Sequence, residues 1–95
     1  MNKNIELYSN PDIVFKKAKK LFGDDFELYL SSRKDKKYMI KFSKNKKFIH
    51  FGQYGFEDFT KHKNKKRREL FQIRNKKWAD SIYDSPSYLS YYLLW

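Results

Sequence analysis

The chain contains no cysteine, and only three glycines and two prolines in 95 residues. Without cysteine there can be no disulfide framework, no thiolate nucleophile and no Cys-based zinc site, and the absence fits a reducing compartment. Long apolar runs are missing too. The longest near the C-terminus, YYLLW, falls far short of the ~20 residues that a spanning helix needs, so a soluble protein with no membrane partner is expected. The opening MNKNIELYSN lacks the apolar core of a secretory signal, so the protein is not expected to be secreted. Acidic residues are scarce beside basic ones: 11 Asp and Glu face 22 Lys and Arg, for a net charge of +11.

What is present in excess is aromatic. Phe, Tyr and Trp make up 20% of the residues, which excludes a disordered tail and brings large buried areas per side chain. The length fits one small basic domain over residues 1–95 with a modest core. The charge is unevenly spread. Between Arg33 and Lys47 there are eight Lys/Arg and one Asp, and between Lys61 and Lys77 nine Lys/Arg and one Glu. A field of that sign and size draws nucleic acid, anionic membrane surface or acidic protein.

Ser9-Asn10-Pro11 reads as a helix start, with Ser9 or Asn10 as the cap and Pro11 in the first helical position. Ile13, Val14, Ala18, Leu21 and Phe22 recur at helical spacing and Gly23 supplies a stop, so a helix is predicted over Pro11–Phe22. Three runs with period two follow. Phe26, Leu28 and Leu30 form the first; Tyr38, Ile40 and Phe42 the second, with Lys37 and Lys41 assigned to its outer face; Phe48–Phe51 the third. The short polar connectors, among them Ser43–Lys46 with Asn45 tolerant of positive φ, make these a three-stranded antiparallel meander. Asn64 can cap a basic helix running from about Lys65 to Lys77 or Trp78, with Leu70, Phe71 and Trp78 holding it to the sheet. Ser85 caps, and Pro86 begins, a short apolar terminal helix. The fold class is therefore α+β: N-terminal helix, three-stranded antiparallel meander, basic helix, short C-terminal apolar helix.

The stretch FIHFGQYGFEDFTKHKNKKRRELFQIRNKKW, with SPSYLSYYLLW after it, resembles a family of short basic proteins encoded by nucleocytoplasmic large DNA viruses of algae and protists. That family carries a strand ending His-Phe-Gly, a Gly-aromatic-x-Asp-aromatic-Thr-x-His-Lys turn, a basic helix and a terminal Leu-Leu-Trp or Leu-Trp. The matching positions here include His50, Phe51, Gly52, Gly55, Phe56, Asp58, Phe59, Thr60, His62, Lys63, Leu93, Leu94 and Trp95. The resemblance covers the C-terminal half of the chain. It implies a viral source, and hence a place in the host cytoplasm or nucleus (the viral factory) or the virion. The family being of unknown function, it implies no activity. One departure is Asn64, where relatives usually carry Asp. Both residues cap helices, but the change puts in doubt any role of a carboxylate there as ligand or base.

Two constellations carry the functional expectation. In KHKNKKRREL the cations fall in the first turn of a helix, where they oppose the macrodipole and do nothing for the helix itself. A phosphate at that end would meet backbone N–H groups, lysine point charges and forked guanidinia together. Against this stands the plain reading of a solvated helix face. Lys61, Lys63, Lys65, Lys66, Arg67, Arg68, Arg74, Lys76 and Lys77 are the nucleic-acid-binding candidates, with DNA expected over RNA. Lys34, Lys36, Lys44, Lys46 and Lys47 of the meander loops, and the Lys37, Met39 and Lys41 strand face beside Tyr29 or Phe48, would assist.

The preceding corner, Gly52, Gly55, Asp58 and Thr60, is expected to be structural. The glycines permit positive φ, Asp58 closes an Asx-type turn by accepting from Thr60, or else holds an arginine of the following helix, and Phe51, Phe56 and Phe59 pack beneath. The spacing of His50, Asp58 and His62 matches no zinc pattern, so no metal, cofactor or catalytic residue is expected. A small nuclease is the least favoured reading and would need those three to converge. The remaining alternative is a structural or adaptor protein that binds an acidic partner, or itself, through Tyr88, Tyr92 and Trp95.

Overall fold

The structure is a computed structural model and describes residues 4–44 and 47–95. The elements follow the expected α+β order. Helix α1 spans Pro11–Phe22, as its caps predict. The Asn10 side chain accepts from the backbone N–H groups of Asp12 (3.1 Å) and Ile13 (3.4 Å), and Gly23 at φ 68° donates to the Lys19 carbonyl at 2.9 Å. Strands β1 (Phe26–Leu30), β2 (Lys36–Phe42) and β3 (Ile49–Gln53) form an antiparallel sheet in the order β1-β2-β3. The loop expected at Ser43–Lys46 runs into Asn45 and Lys46, which lie outside the described residues.

Register puts Leu28 opposite Ile40, Tyr38 opposite Phe51 and Ile40 opposite Ile49, so one sheet face is continuously apolar. Val14 and Ala18 of α1 join Tyr38, Ile40, Phe42 and Phe51 in the core, which Leu89, Leu93 and Leu94 of the C-terminal segment complete. Tyr38 stacks on Phe51 at 5.7 Å and Phe22 meets Phe42 edge-on at 4.9 Å, the geometries that ring quadrupoles favour. Each fully buried leucine of the terminal segment contributes roughly 1.5–3 kcal/mol by leaving water.

After β3 come a one-turn helix α2 (Phe59–His62), the basic helix α3 (Lys65–Arg74), a 3-10 turn (Lys76–Asp80) and α4 (Pro86–Leu89), which widens into a π turn over Ser90–Leu94. Asn64 caps α3, accepting from Arg67 N–H at 3.1 Å, and Ser85 caps α4, accepting from Tyr88 N–H at 3.2 Å.

Three expectations are corrected. Helix α3 ends at Arg74 instead of Lys77 or Trp78. Asn75 turns the chain, its backbone and side-chain N–H groups both donating to the Phe71 carbonyl (2.9 and 3.1 Å), a helix-end role that suits Asn. Leu70 does not hold α3 to the sheet, because it is 48% exposed; Phe71 meets Trp78 edge-on at 5.7 Å and stacks on Trp95 at 4.3 Å, so the ring contacts tie α3 to the terminal segment. Phe56 does not pack beneath the corner but stands 64% exposed.

Candidate functional site

The corner between β3 and α3 is built on a buried ion pair. Lys37, expected on the outer face of β2, has its side chain 3% exposed, and its ammonium donates to Asp58 Oδ2 at 3.0 Å. The Asp58 side chain is 1% exposed. It does not hold an arginine of α3. Its other oxygen, Oδ1, accepts from the backbone N–H of Thr60 at 3.0 Å and from the Thr60 hydroxyl.

From there a chain of hydroxyls runs into the core. Thr60 Oγ1 accepts from Asn10 N–H at 2.9 Å and lies 3.1 Å from Ser9 Oγ, which accepts from Tyr38 O–H at 2.7 Å. Because Thr60 gives its proton to Asp58 and Tyr38 gives its own to Ser9, Ser9 must donate to Thr60. The chain of donation is then Tyr38 to Ser9 to Thr60 to Asp58, and every member is satisfied, which is the condition for a buried polar network to be tolerated.

Electrostatics follow from this burial. Burial lowers the Lys37 pKa from its ordinary value, and the Asp58 charge opposes that drop. Burial pushes the Tyr38 phenol far above its usual range, against the hydrogen bond to Ser9. The backbone joins in, since Asp58 N–H donates to the Tyr8 carbonyl at 3.0 Å. Asp58 thus pins the segment before α1, strand β2 and helix α2 at one point. Thr60 accordingly takes its predicted place, Oδ1 of Asp58 closing the Asx-type turn.

Gly52 and Gly55 adopt φ 79° and 105°, as the corner was expected to require. Gly52 has a second reason to be glycine. A Cβ there would stand 2.7 Å from Leu94 Cδ1 and 3.3 Å from Lys37 Cβ. The bare backbone lets the terminal segment close over Lys37.

The basic segment splits into two groups. Arg67 lies 3.9 Å from Glu57 and the Arg68 guanidinium sits 4.4 Å above the Phe59 ring. Both are engaged at the corner. By contrast Lys61, Lys63, Lys65, Lys66, Lys76 and Lys77 are exposed and form no ion pair among the described residues. No acid occupies the first turn of α3 to offset them. Arg74 is exposed and lines a groove beside the corner. In the meander Lys41 pairs with Glu27 at 3.5 Å and overhangs Phe48 at 5.4 Å. Lys34, Lys44 and Lys47 are exposed, Lys37 is withdrawn from the basic face, and Lys46 lies outside the described residues.

His50, Asp58 and His62 do not form a site together. His50 Nδ1 lies 2.6 Å from Ser31 Oγ on the sheet face opposite the core, and Asp58 is spent on Lys37 and Thr60. Among the described residues no group of three His, Cys, Asp or Glu is placed to hold a metal. His62 Nδ1 accepts from Asn64 N–H at 2.9 Å, which leaves the proton on Nε2, buried and without a hydrogen-bond partner among the described residues, and the ring lies beside Trp95 at 5.2 Å. Burial and the Arg67 charge hold the His62 pKa below its ordinary value, against Glu57 and Asp58. Tyr88, Tyr92 and Trp95 are half-buried where the terminal segment docks, with Tyr92 O–H donating to the Ala79 carbonyl at 3.2 Å.

Sequence reasoning missed Lys37, since period-two alternation sends it outward. It also missed the groove, whose walls come from segments far apart in the chain. The one signal in the chain was the pair Asp58 and Gly52, a carboxylate and a bare backbone that both needed a partner.

Fold and site together define a small α+β protein whose basic helix is aimed by a buried ion-paired corner. The chain belongs to a family of unknown function (DUF5754), which matches residues 26–78, more than half its length. The match takes in the sheet, the corner and the basic segment as far as Trp78. No curated protein and no solved structure matches the chain. No helix among the described residues is long and apolar enough to cross a membrane.

Proposed function

We propose that this is a viral protein that binds nucleic acid, DNA in preference to RNA, without catalysis and largely without regard to sequence, in the infected host cell or in the virion. The observation that carries the reading is the set of six exposed lysines, 61, 63, 65, 66, 76 and 77. They form no ion pair among the described residues and surround a helix whose first turn holds no acid. Helix stability does not call for Lys65 and Lys66 in the first turn, since they oppose the helix dipole there. Phosphates do, through release of counterions from the polyanion.

The ion-paired corner supports the same reading by fixing the direction of α3. With Arg67 and Arg68 engaged at Glu57 and Phe59, the lysines are the phosphate contacts and the arginines hold the helix in place. Arg74 serves the groove beside it.

Affinity for duplex DNA titrated against salt tests this. Each neutralised phosphate adds about −0.9 to the slope of log affinity on log salt. Replacing Lys65, Lys66, Lys76 and Lys77 by Gln should flatten that slope by roughly 0.9 for each phosphate no longer neutralised. No binding at low salt, or a slope untouched by the four substitutions, would overturn the proposal.

A further inference from the structure

Beside the corner lies a groove of about 330 Å³, walled by Gln53 at the end of β3, Phe56 of the corner, Phe71 and Arg74 of α3, Trp78 of the 3-10 turn and Trp95 after the π turn. The rings are ordered. Phe71 and Trp95 stack at 4.3 Å with planes 7° apart, and Trp78 meets Phe71 edge-on at 5.7 Å and 77°. Phe56, at 64% exposure, stands free at the rim where a core residue would have been expected. The charges of two other lining residues are already engaged: Lys37 by Asp58 at 3.0 Å and Glu57 by Arg67 at 3.9 Å. Arg74 is the lining cation that forms no ion pair among the described residues, and Lys76 and Lys77 follow it.

A fitting occupant needs flat apolar faces for the rings, an anion for Arg74, and an edge of donors and acceptors for the Gln53 amide. An unpaired nucleotide has all three. A base inside a duplex does not, because its faces are covered by its neighbours. We infer that the groove is a stacking pocket for one unpaired nucleotide, whose base lies against Phe56 and Trp78 and whose phosphate meets Arg74. This rests on the nucleic-acid reading above. It adds that the protein distinguishes single strands, or frayed and flipped positions, from intact duplex. Stacking of this kind tolerates any base, since every base has a π face.

The two tryptophans of the chain, Trp78 and Trp95, both line the groove, so intrinsic fluorescence reports its filling. The full chain is titrated with a short oligothymidylate, with an abasic strand of equal phosphate count, and with a peptide of alternating Glu and Tyr. The expected result is quenching by oligothymidylate and about tenfold tighter binding than of the abasic strand. Phe56→Ala, at an exposed position outside the core, should remove most of that advantage and leave the abasic affinity unchanged.

Equal affinity for the two strands overturns the pocket while leaving the phosphate contacts of α3 standing. Quenching by the peptide at affinity equal to the oligothymidylate overturns it in favour of an acidic aromatic protein segment. No binding of either strand at low salt removes both this inference and the function it rests on.

Discussion

Lys37 and Lys65 are the same residue type in two strongly basic segments of one chain, and the fold treats them oppositely. Lys37 is taken out of water, bonded to Asp58 at 3.0 Å, and its partner is roofed by a chain of hydroxyls. Lys65 opens a helix whose first turn offers no acid, and it stays exposed. The buried pair joins β2 to the start of α2 at one point, Lys37 to Asp58 and Asp58 to Thr60. The exposed lysines give field, which reaches through solvent and needs no single geometry. A functional reading that counts charges without asking which are spent would merge the two.

The contrast breaks most sharply at Asp58. Asp58→Ala leaves the Lys37 ammonium buried and unpaired, and should cost about 3–5 kcal/mol of folding stability in denaturant titration. If the pair serves geometry and not stability, the double variant Lys37→Met with Asp58→Leu should recover most of that loss. Next in size is Gly52→Ala. The positive φ and the 2.7 Å approach to Leu94 Cδ1 act together, and a loss of about 2 kcal/mol is expected, read as a lower midpoint at unchanged slope.

A smaller effect belongs to His62, whose folded pKa lies below its unfolded value near 6.5. The unfolded chain therefore binds more protons in the window just below pH 6.5, and stability falls as pH drops through it. Protonation would also remove the Nδ1 acceptor that Asn64 N–H uses at 2.9 Å. Thermal melts of wild type should lose midpoint between pH 7 and 5, and His62→Gln should lose distinctly less. Smallest for stability are the lysines themselves. Gln at 65, 66, 76 and 77 should each shift stability by no more than about 0.5 kcal/mol, while the same variants flatten the salt dependence of binding. A large destabilisation from any of them would mean that the exposed charges are structural after all.

Local signals in the chain set the structure where the physics is local. Pro11 and Gly23 bound α1, Asn64 caps α3, Ser85 and Pro86 begin α4, and Thr60 closes the Asp58 turn. Where the structure departs from these signals, the cause is distant contact. Lys37 alternates outward along β2 like Lys41, and nothing in KKYMIKF says that Asp58 will arrive over one and not the other. Phe56 and Leu70 look like core by residue type yet stand exposed, whereas Phe51 is buried and Phe71 stacks on Trp95.

The sequence by itself determined the element order, most helix ends, the apolar strand faces and the excess of positive charge, because capping, alternation and composition act between near neighbours or on the whole chain at once. Only the tertiary structure decided which charges remain free. That choice depends on residues 21 apart meeting in a dry interior, on Leu94 closing against Gly52, and on segments far apart in the chain converging to set Phe56, Arg74, Trp78 and Trp95 around one groove. Desolvation is a property of a place, and no residue carries its place in its own name.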